Sequence, residues 1–284
     1  MTIALRVAWL LIAALPEAVS SSSASPVGPW LVWAVWTLVA LAVLILHPLS
    51  LVVVRLLAPL STLHMAVEVV GSRASWGSVT GLVLALGVSV ASFAGRYGFA
   101  HAQAAAYGHE RRHLLRPPIA VIAPIALVWI VVAILAALVI HGERLVVSLG
   151  ASIPFAALLA FLLRRAHVLT RRWLVYVPAG IAVHDPLLLR DTFMVRGHDV
   201  RGLHLREPMT EAFDATGTTW GTSLTLTLSH PHDVSLSPFG ARLAGTLDRL
   251  HVTALLVAPS RPEAALADAP NAAVDQPLGG DAAG

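Results

Sequence analysis

Histidine and aspartate occur close together at three places in the C-terminal part of the chain. They are His184 with Asp185, His198 with Asp199, and His230 and His232 with Asp233. Neighbouring residues on a strand point to opposite faces, so an adjacent pair cannot act together on one substrate. His230 and His232 can share a face and ligate a metal ion, given a third ligand from elsewhere. Pro231 between them favours an exposed turn, and we therefore expect no metal, no cofactor and no catalytic residue.

A second polar group lies inside an apolar segment. Arg55, His64 and Glu68 interrupt residues 49–70. A charge at bilayer depth costs about 2.5–3.5 kcal/mol or more unless it is paired or hydrated, so such residues suggest transport. On a helix, His64 and Glu68 are four residues apart and share a face, whereas Arg55 points roughly the opposite way. Arg55 can also snorkel to the nearby membrane interface. We expect these residues not to form one translocation path.

Arginines mark the ends of the apolar segments. They are Arg111, Arg112 and Arg116 in the segment 96–117, and Arg164, Arg165, Arg171 and Arg172 after the last apolar run. Cytoplasmic loops carry an excess of arginine, so both groups are predicted to lie on the cytoplasmic side, at the lipid interface. For the loop 96–117 two interpretations stay open. It either anchors the topology or docks onto the C-terminal domain, and we favour anchoring.

The composition limits the class of protein. Of 284 residues, 57% are hydrophobic and 12% are charged, about half the charged fraction of an average soluble domain. There is no cysteine, which excludes disulfides and thiolate chemistry. The net charge of +3 is too small to suggest a nucleic-acid partner. No phosphate-binding loop, dinucleotide fingerprint or nucleophile elbow occurs in the sequence. We therefore expect a membrane protein that is not an enzyme.

Six apolar segments predict an all-α transmembrane bundle of about six helices. The segments are 3–16, 29–46, 49–70, 77–95, 118–140 and 145–163. A spanning helix needs about 20 predominantly apolar residues. Four of the six segments, the second, fourth, fifth and sixth, meet this requirement. With the arginines inside, both termini are cytoplasmic and the location is the inner (plasma) membrane. Residues 1–20 are alternatively a cleaved signal peptide, because Arg6 precedes a short apolar core. We favour an uncleaved helix.

Residues 164–263 predict a small β-rich α+β cytoplasmic domain. In the string WLVYVPAGIAVHD, two short apolar runs flank a Pro-Ala-Gly turn, and alternate residues of each run would fall on opposite faces of a strand. This predicts a β-hairpin. Further strands are predicted at 192–196, 200–206, 222–229 and 252–258, with an amphipathic helix at 238–250 begun by Ser237. The spacing of Ser260 and Glu263 predicts a short terminal helix. Residues 264–284 are rich in Ala, Pro, Gly and Asp and predict a disordered tail.

A meander of strands and a closing helix behind transmembrane helices resembles the bacterial PH-like domains of multipass membrane proteins. The strings AYGHERRHLLRPP (106–118), RRWLVYVPAGIAVHDP (171–186) and LLVAPSRP (255–262) together resemble an uncharacterised family of actinobacterial multipass membrane proteins. That resemblance implies a topology but no activity and no functional residues.

The favoured function is a membrane-tethered interaction or scaffold module. Its partners are the lipid bilayer and a protein bound through residues 171–258. The alternative is a transporter or channel-like protein using Arg55, His64 and Glu68.

Overall fold

The computed structural model describes residues 1–15, 25, 27–71, 75–205, 212–246 and 248–270. The chain divides into two compact units. The helical unit comprises Met1–Ala104 with Ala123–His167, and the β-rich unit comprises Ala105–Ile122 with the residues from Val168 onward. The helical N-terminal half and the sheet-rich C-terminal region predicted from the sequence are therefore both present.

Long apolar helices dominate the first half of the chain. They are α1 (Thr2–Ala13), α2 (Gly28–Leu44), α3 (Pro48–Gly71), α4 (Trp76–Ser92), α5 (Gly95–Gln103), α6 (Ile119–His141) and α7 (Leu145–Thr170). Of these, α3, α6 and α7 are long and apolar enough to cross a membrane. A fourth span is possible if α4 and α5, which meet at a bend of 66°, cross as one. The protein therefore has three to four candidate membrane spans.

The two shorter apolar helices leave the predicted count of six crossings untested. In α1, Trp9 is fully buried, and its indole nitrogen donates a hydrogen bond to the carbonyl of Trp36 in α2 at 3.0 Å. Arg6 donates to the carbonyl of Val43 at 2.9 Å, near the C-terminal end of α2. The first segment is thus held against its neighbour by side-chain contacts. Residues 16–24, where a signal peptide would be cleaved, lie outside the described residues.

Two predicted boundaries in this region are wrong. Residues 96–103 belong to α5 rather than to a loop, since the chain turns after Ser92 and resumes as helix at Gly95. The last apolar helix does not end at 163 but continues to Thr170. Arg164 and Arg165 are therefore helical. The end of the helix lies one residue before Arg171, where the β-rich unit begins its first hairpin.

The first sheet contains the predicted hairpin and a strand from the loop 96–117. Its order is β1 (Arg111–Leu114), β2 (Trp173–Val177), β3 (Gly180–His184) and β4 (Phe193–Arg196), all antiparallel. Gly180 has a φ of +154°, a conformation that favours glycine, and an added Cβ would meet the backbone of β4. The hairpin prediction is confirmed. The favoured interpretation of the loop as a membrane anchor is wrong for residues 111–114, which dock as β1.

The second sheet has the order β5-β7-β8-β6. Its strands are β5 (Val200–Leu205), β6 (Ala212–Asp214), β7 (Leu224–Ser235) and β8 (Arg249–Val257), with β6 parallel to β8 and the other pairs antiparallel. The predicted strands at 200–206, 222–229 and 252–258 fall in β5, β7 and β8, while β6 was not predicted. The predicted turn at 230–233 is wrong, because β7 runs through it to Ser235.

Two short helices flank β8. Ser237 caps α8 (Pro238–Ala244) by accepting a hydrogen bond from Gly240 N at 2.9 Å, as predicted. The helix does not reach 250, because Gly245 at φ +63° ends it in the left-handed conformation. The predicted terminal helix is α9 (Pro262–Ala267). Residues 264–269 therefore belong to the fold rather than to the tail, and 271–284 lie outside the described residues.

One hydrophobic core joins the two sheets. It is built from alternating inward side chains, each of which gains about 1.5–3 kcal/mol from burial. Its fully buried members include Leu174, Ile181, Val183, Val195, Leu203, Leu224, Leu226, Leu255 and Val257. Ala265 and Ala269 close the same core, which explains why the chain stays ordered past residue 263. The likeness to a PH-like domain is not tested by this arrangement.

Candidate functional site

The structure brings a histidine and carboxylate cluster together in the helical unit. His64 and Glu68 lie one turn apart on α3, and His141 is the last residue of α6. The rings of His64 and His141 have their centres 5.7 Å apart, and Nδ1 of His141 lies 3.9 Å from Oε1 of Glu68. Each residue can offer one ligand atom, with all three atoms within 4.8 Å of one another. A cavity of about 300 Å³ borders His64 and His141.

Arg55 does not belong to this cluster, as its helical phase predicts. Its Nε donates to the carbonyl oxygen of Ser92 at 3.0 Å, and its guanidinium lies 5.5 Å from the ring centre of Phe93. Ser92 ends α4, so a cation here compensates the partial negative charge of the helix terminus. The predicted snorkelling is replaced by this cap. The three predicted intramembrane polar residues, Arg55, His64 and Glu68, thus separate into a structural arginine and a histidine–carboxylate pair.

Sequence reasoning missed His141. It follows the fifth apolar segment and precedes a short loop, where a polar residue is ordinary. Only the packing of α6 near α3 gives it a role. One feature of the sequence could have indicated His141. The segments that form α3 and α6 were predicted to cross the membrane in the same direction, which places His141 at the same end of the bundle as Glu68.

A second cluster forms in the β-rich unit around Asp199. This aspartate ends a short 3₁₀ turn, Gly197–Asp199, directly before β5. His230 Nε2 lies 3.7 Å from Asp199 Oδ1, and His232 Nε2 lies 3.7 Å from Asp199 Oδ2. The two imidazole rings are stacked with their centres 4.5 Å apart. The two predicted candidates therefore share a face, and Asp199 is the third ligand that the sequence left unnamed.

An irregular stretch of β7 positions the two histidines. The pairing of β7 with β8 shifts register between Thr227 and His232. Proline cannot donate to a ladder and is tolerated in a strand at such irregularities, so Pro231 bends β7 without ending it. The presence of Pro231 is the reason the sequence suggested a turn at 230–233. The rings of Phe193 and His232 pack edge to face, with their centres 6.3 Å apart.

The two adjacent His-Asp pairs behave differently from each other. His184 Nδ1 lies 2.8 Å from the hydroxyl of Thr192, while Asp185 turns into the core, so this pair diverges as predicted. His198 Nε2 instead lies 3.4 Å from Asp199 Oδ1. The prediction that adjacent pairs cannot meet is wrong there, because residues 197–199 form a 3₁₀ turn rather than a strand.

Arg172 is a core residue and does not lie at the lipid interface. Its side chain and that of Asp185 are both fully buried. Arg172 Nε donates to both carboxylate oxygens at 2.9 Å, Nη2 donates to Oδ2 at 2.6 Å, and Nη1 donates to the carbonyl of Arg116 at 2.6 Å. The pair therefore ties the end of β3 to the start of β2 and to the segment after β1.

Two further arginines predicted at the interface make contacts inside the β-rich unit. Arg112 pairs with Glu110 at 2.7 Å, and its hydrogen bond lowers the pKa of the Glu110 carboxyl. The guanidinium of Arg112 also lies 4.6 Å from the ring centre of Trp173. Arg116 donates to the carbonyl of Thr222. The remaining four are exposed: Arg111, Arg164, Arg165 and Arg171.

An open cleft of about 360 Å³ lies in the β-rich unit beside strand β6. Its walls come from β6, β8 and α8 and mix apolar and polar side chains. They include Leu188, Phe213, Asp214, Thr218, Leu243 and His251. In the described sheet β6 is an edge strand, with β8 on one side only. The cleft is therefore a concave surface next to an unpaired strand edge.

Comparison with protein-family models, curated proteins and solved structures finds no match for this chain. Its function is therefore argued from the geometry of these sites alone.

Proposed function

We propose that this chain is a multipass inner-membrane protein whose cytoplasmic β-rich unit binds a protein partner through residues 171–258 and catalyses no reaction. The observation that carries the proposal is the open cleft beside β6. The comparison with PH-like domains is part of the same proposal. It is supported by two sheets around one core, although β8 follows α8 instead of the chain ending on that helix.

The cleft suits an extended protein segment. Edge strands offer unpaired N–H and C=O groups, and an added peptide strand satisfies them while adjacent pockets take its side chains. Phe213 and Leu250 supply apolar walls, and Asp214 and Thr218 supply polar ones. Leu243, which is 39% exposed on α8, lies at the rim and is available for contact.

Site-specific photo-crosslinking in cells tests this proposal. A photoreactive residue at Leu243 should yield a discrete crosslinked species with one partner, whereas the same residue at Met194, exposed on β4, should not. Adding Thr218→Arg, which fills the cleft, should abolish the species at Leu243. Crosslinking of equal yield at both positions, or crosslinking at Leu243 that survives Thr218→Arg, would contradict binding in the cleft.

The proposed topology has six crossings and a cytoplasmic C-terminus. The four exposed arginines support it, because all lie on the segments predicted to stay inside. Since the chain has no cysteine, single cysteines report accessibility without background. Glu143→Cys in the short α6–α7 connection should react with a membrane-impermeant thiol reagent in intact cells. Arg190→Cys should react only after lysis, and the reverse pattern would invert the topology.

A second function, transport of a divalent metal ion or proton, is favoured by one observation. His141 completes His64 and Glu68 as a set of three protonatable metal ligands beside a cavity of about 300 Å³. Ionisable groups in spanning helices commonly mark such pathways. Arg55 has no part in it. Purified protein in liposomes should take up Zn²⁺ or protons, and His141→Ala should abolish uptake while His47→Ala, at the opposite end of α3, should not.

A further inference from the structure

We propose that Asp199, His230 and His232 form a binding site for a divalent transition-metal ion of the zinc class. The residues belong to the β-rich unit, and the site is independent of both the cleft and the cluster in the helical unit.

The separations of the ligand atoms fit an ion. Bonds of 2.0–2.1 Å in tetrahedral geometry place ligand atoms about 3.3 Å apart. The two Nε2 atoms each lie 3.7 Å from a different oxygen of Asp199, and one atom from each residue lies within 4.8 Å of the others. Direct hydrogen bonds between an imidazole and a carboxylate measure about 2.7–3.2 Å, so these contacts are too long to be direct bonds. A small inward movement of the rings would bring the three residues to bonding distance around an ion.

Hydrogen bonds on the far side of each ring orient the metal-binding nitrogen. His232 Nδ1 lies 2.9 Å from the carbonyl oxygen of His230. A carbonyl only accepts, so this Nδ1 carries a proton, which leaves Nε2 as the ring nitrogen that can bind a metal ion. Ligating histidines are typically held in this way by a backbone carbonyl.

The same argument applies to His230 through Ser229. The hydroxyl of Ser229 donates its one proton to the carbonyl of Asp199 at 3.1 Å. It must then accept at its 3.0 Å contact with His230 Nδ1, which therefore carries a proton. In both residues Nε2 is therefore the nitrogen directed at the carboxylate of Asp199 and available to bind an ion.

Exposure of the site suits an exchangeable ion. The side chain of His230 is 57% exposed, while those of His232 and Asp199 are 19% and 15% exposed. The ion would therefore be bound by the two less exposed residues, Asp199 and His232, on one side and be accessible to solvent on the side of His230. His198 Nε2, 3.4 Å from Asp199 Oδ1 on a side chain that is 72% exposed, is available as a further ligand or can leave that position to water.

Metal content of the full chain tests the proposal. Protein in detergent micelles, stripped with a chelator and then desalted from a micromolar excess of Zn²⁺, is analysed for bound zinc per chain. We expect His232→Gln and Asp199→Asn each to lose one zinc ion per chain relative to the unsubstituted protein. Because the assay compares bound zinc per chain between each variant and the unsubstituted protein, it separates this site from ions bound at His64, Glu68 and His141.

His251→Gln is the matched control. His251 also contacts an aspartate, Asp233, in the β7–β8 ladder, but on an exposed position outside the cluster. Its zinc content should not change. Each metal-free variant must unfold at the temperature of the metal-free unsubstituted protein, and His230→Gln replaces any variant that does not. Equal zinc content in all variants, or displacement of the zinc by equimolar Mg²⁺, would overturn the assignment.

Discussion

Replacing Arg172 by Met should lower the unfolding free energy of the β-rich unit by about 3–5 kcal/mol, because it leaves a buried carboxylate without its cation. Asp185 is fully buried and is satisfied by three contacts from Arg172. Small domains are stable by only about 5–15 kcal/mol, so the single substitution removes a large part of the total.

The second substitution distinguishes a charge effect from a packing effect. In Asp185→Asn the side-chain oxygen can still accept from the backbone N–H groups of Leu187 and Leu188, which lie 3.1 and 3.2 Å from Oδ1. Alone, Asp185→Asn leaves the Arg172 charge buried and should also cost about 3–5 kcal/mol. The double variant, Arg172→Met with Asp185→Asn, buries no charge. It loses mainly donors to backbone carbonyls, about 1 kcal/mol each, and should be more stable than either single variant.

Pulse proteolysis of the full chain in detergent across a urea series measures the fraction of the β-rich unit that is unfolded. The control is Arg190→Met, which breaks an exposed pair with Asp248 and should cost less than about 1 kcal/mol. If either buried single variant costs no more than this control, or if the double variant costs the sum of the singles, the pair does not carry the stability argued for it.

Two further predictions concern pH and the turns. Burial lowers the pKa of His113 below its usual 6.5, with Asp268 opposing, so the unfolded chain binds more protons below that pH. Stability should therefore fall as the pH drops below 6.5, and His113→Gln should flatten this slope in pulse proteolysis at pH 5–7.5. Gly180→Ala should destabilise the unit more than Gly245→Ala in urea. Both require positive φ, worth about 1–2 kcal/mol, but only at Gly180 does the new Cβ meet neighbouring backbone. Equal costs would contradict this.

Local patterns in the sequence predicted most of the strands. The apolar run from Trp173 to Val177 and the glycine at 180 are properties of a few consecutive residues, and β2 and β3 form where they indicate. The helix after Ser237 was predicted at its start and wrong at its end. Gly245 is a common helix stop signal, but Leu250 beyond it continues the helical spacing, and in the structure Leu250 belongs to β8.

Contacts between distant parts of the chain could not be predicted in this way. Asp199 joins His230 and His232 only because β5 pairs with β7, and that pairing is decided by the whole second sheet. In the helical unit, His141 meets Glu68 because α6 packs near α3. Sequence reasoning identified the two members of each cluster that lie close together in the chain. It missed the third candidate ligand both times, because that residue comes from another element.

The arginines show how one residue type carries two kinds of information. A topology rule counts all seven arginines as equivalent positive charges next to a membrane. In the structure, Arg172 instead ties the start of β2 to Asp185 after β3 and to the carbonyl of Arg116 after β1, since a guanidinium can satisfy several acceptors at once. Arg112 stacks on Trp173 of β2, and Arg116 donates to the carbonyl of Thr222 before β7. A positive segment between two spans can therefore be part of a folded domain. Here the segment after α5 enters the sheet built by residues that follow α7, so the β-rich unit is assembled from two separate parts of the chain.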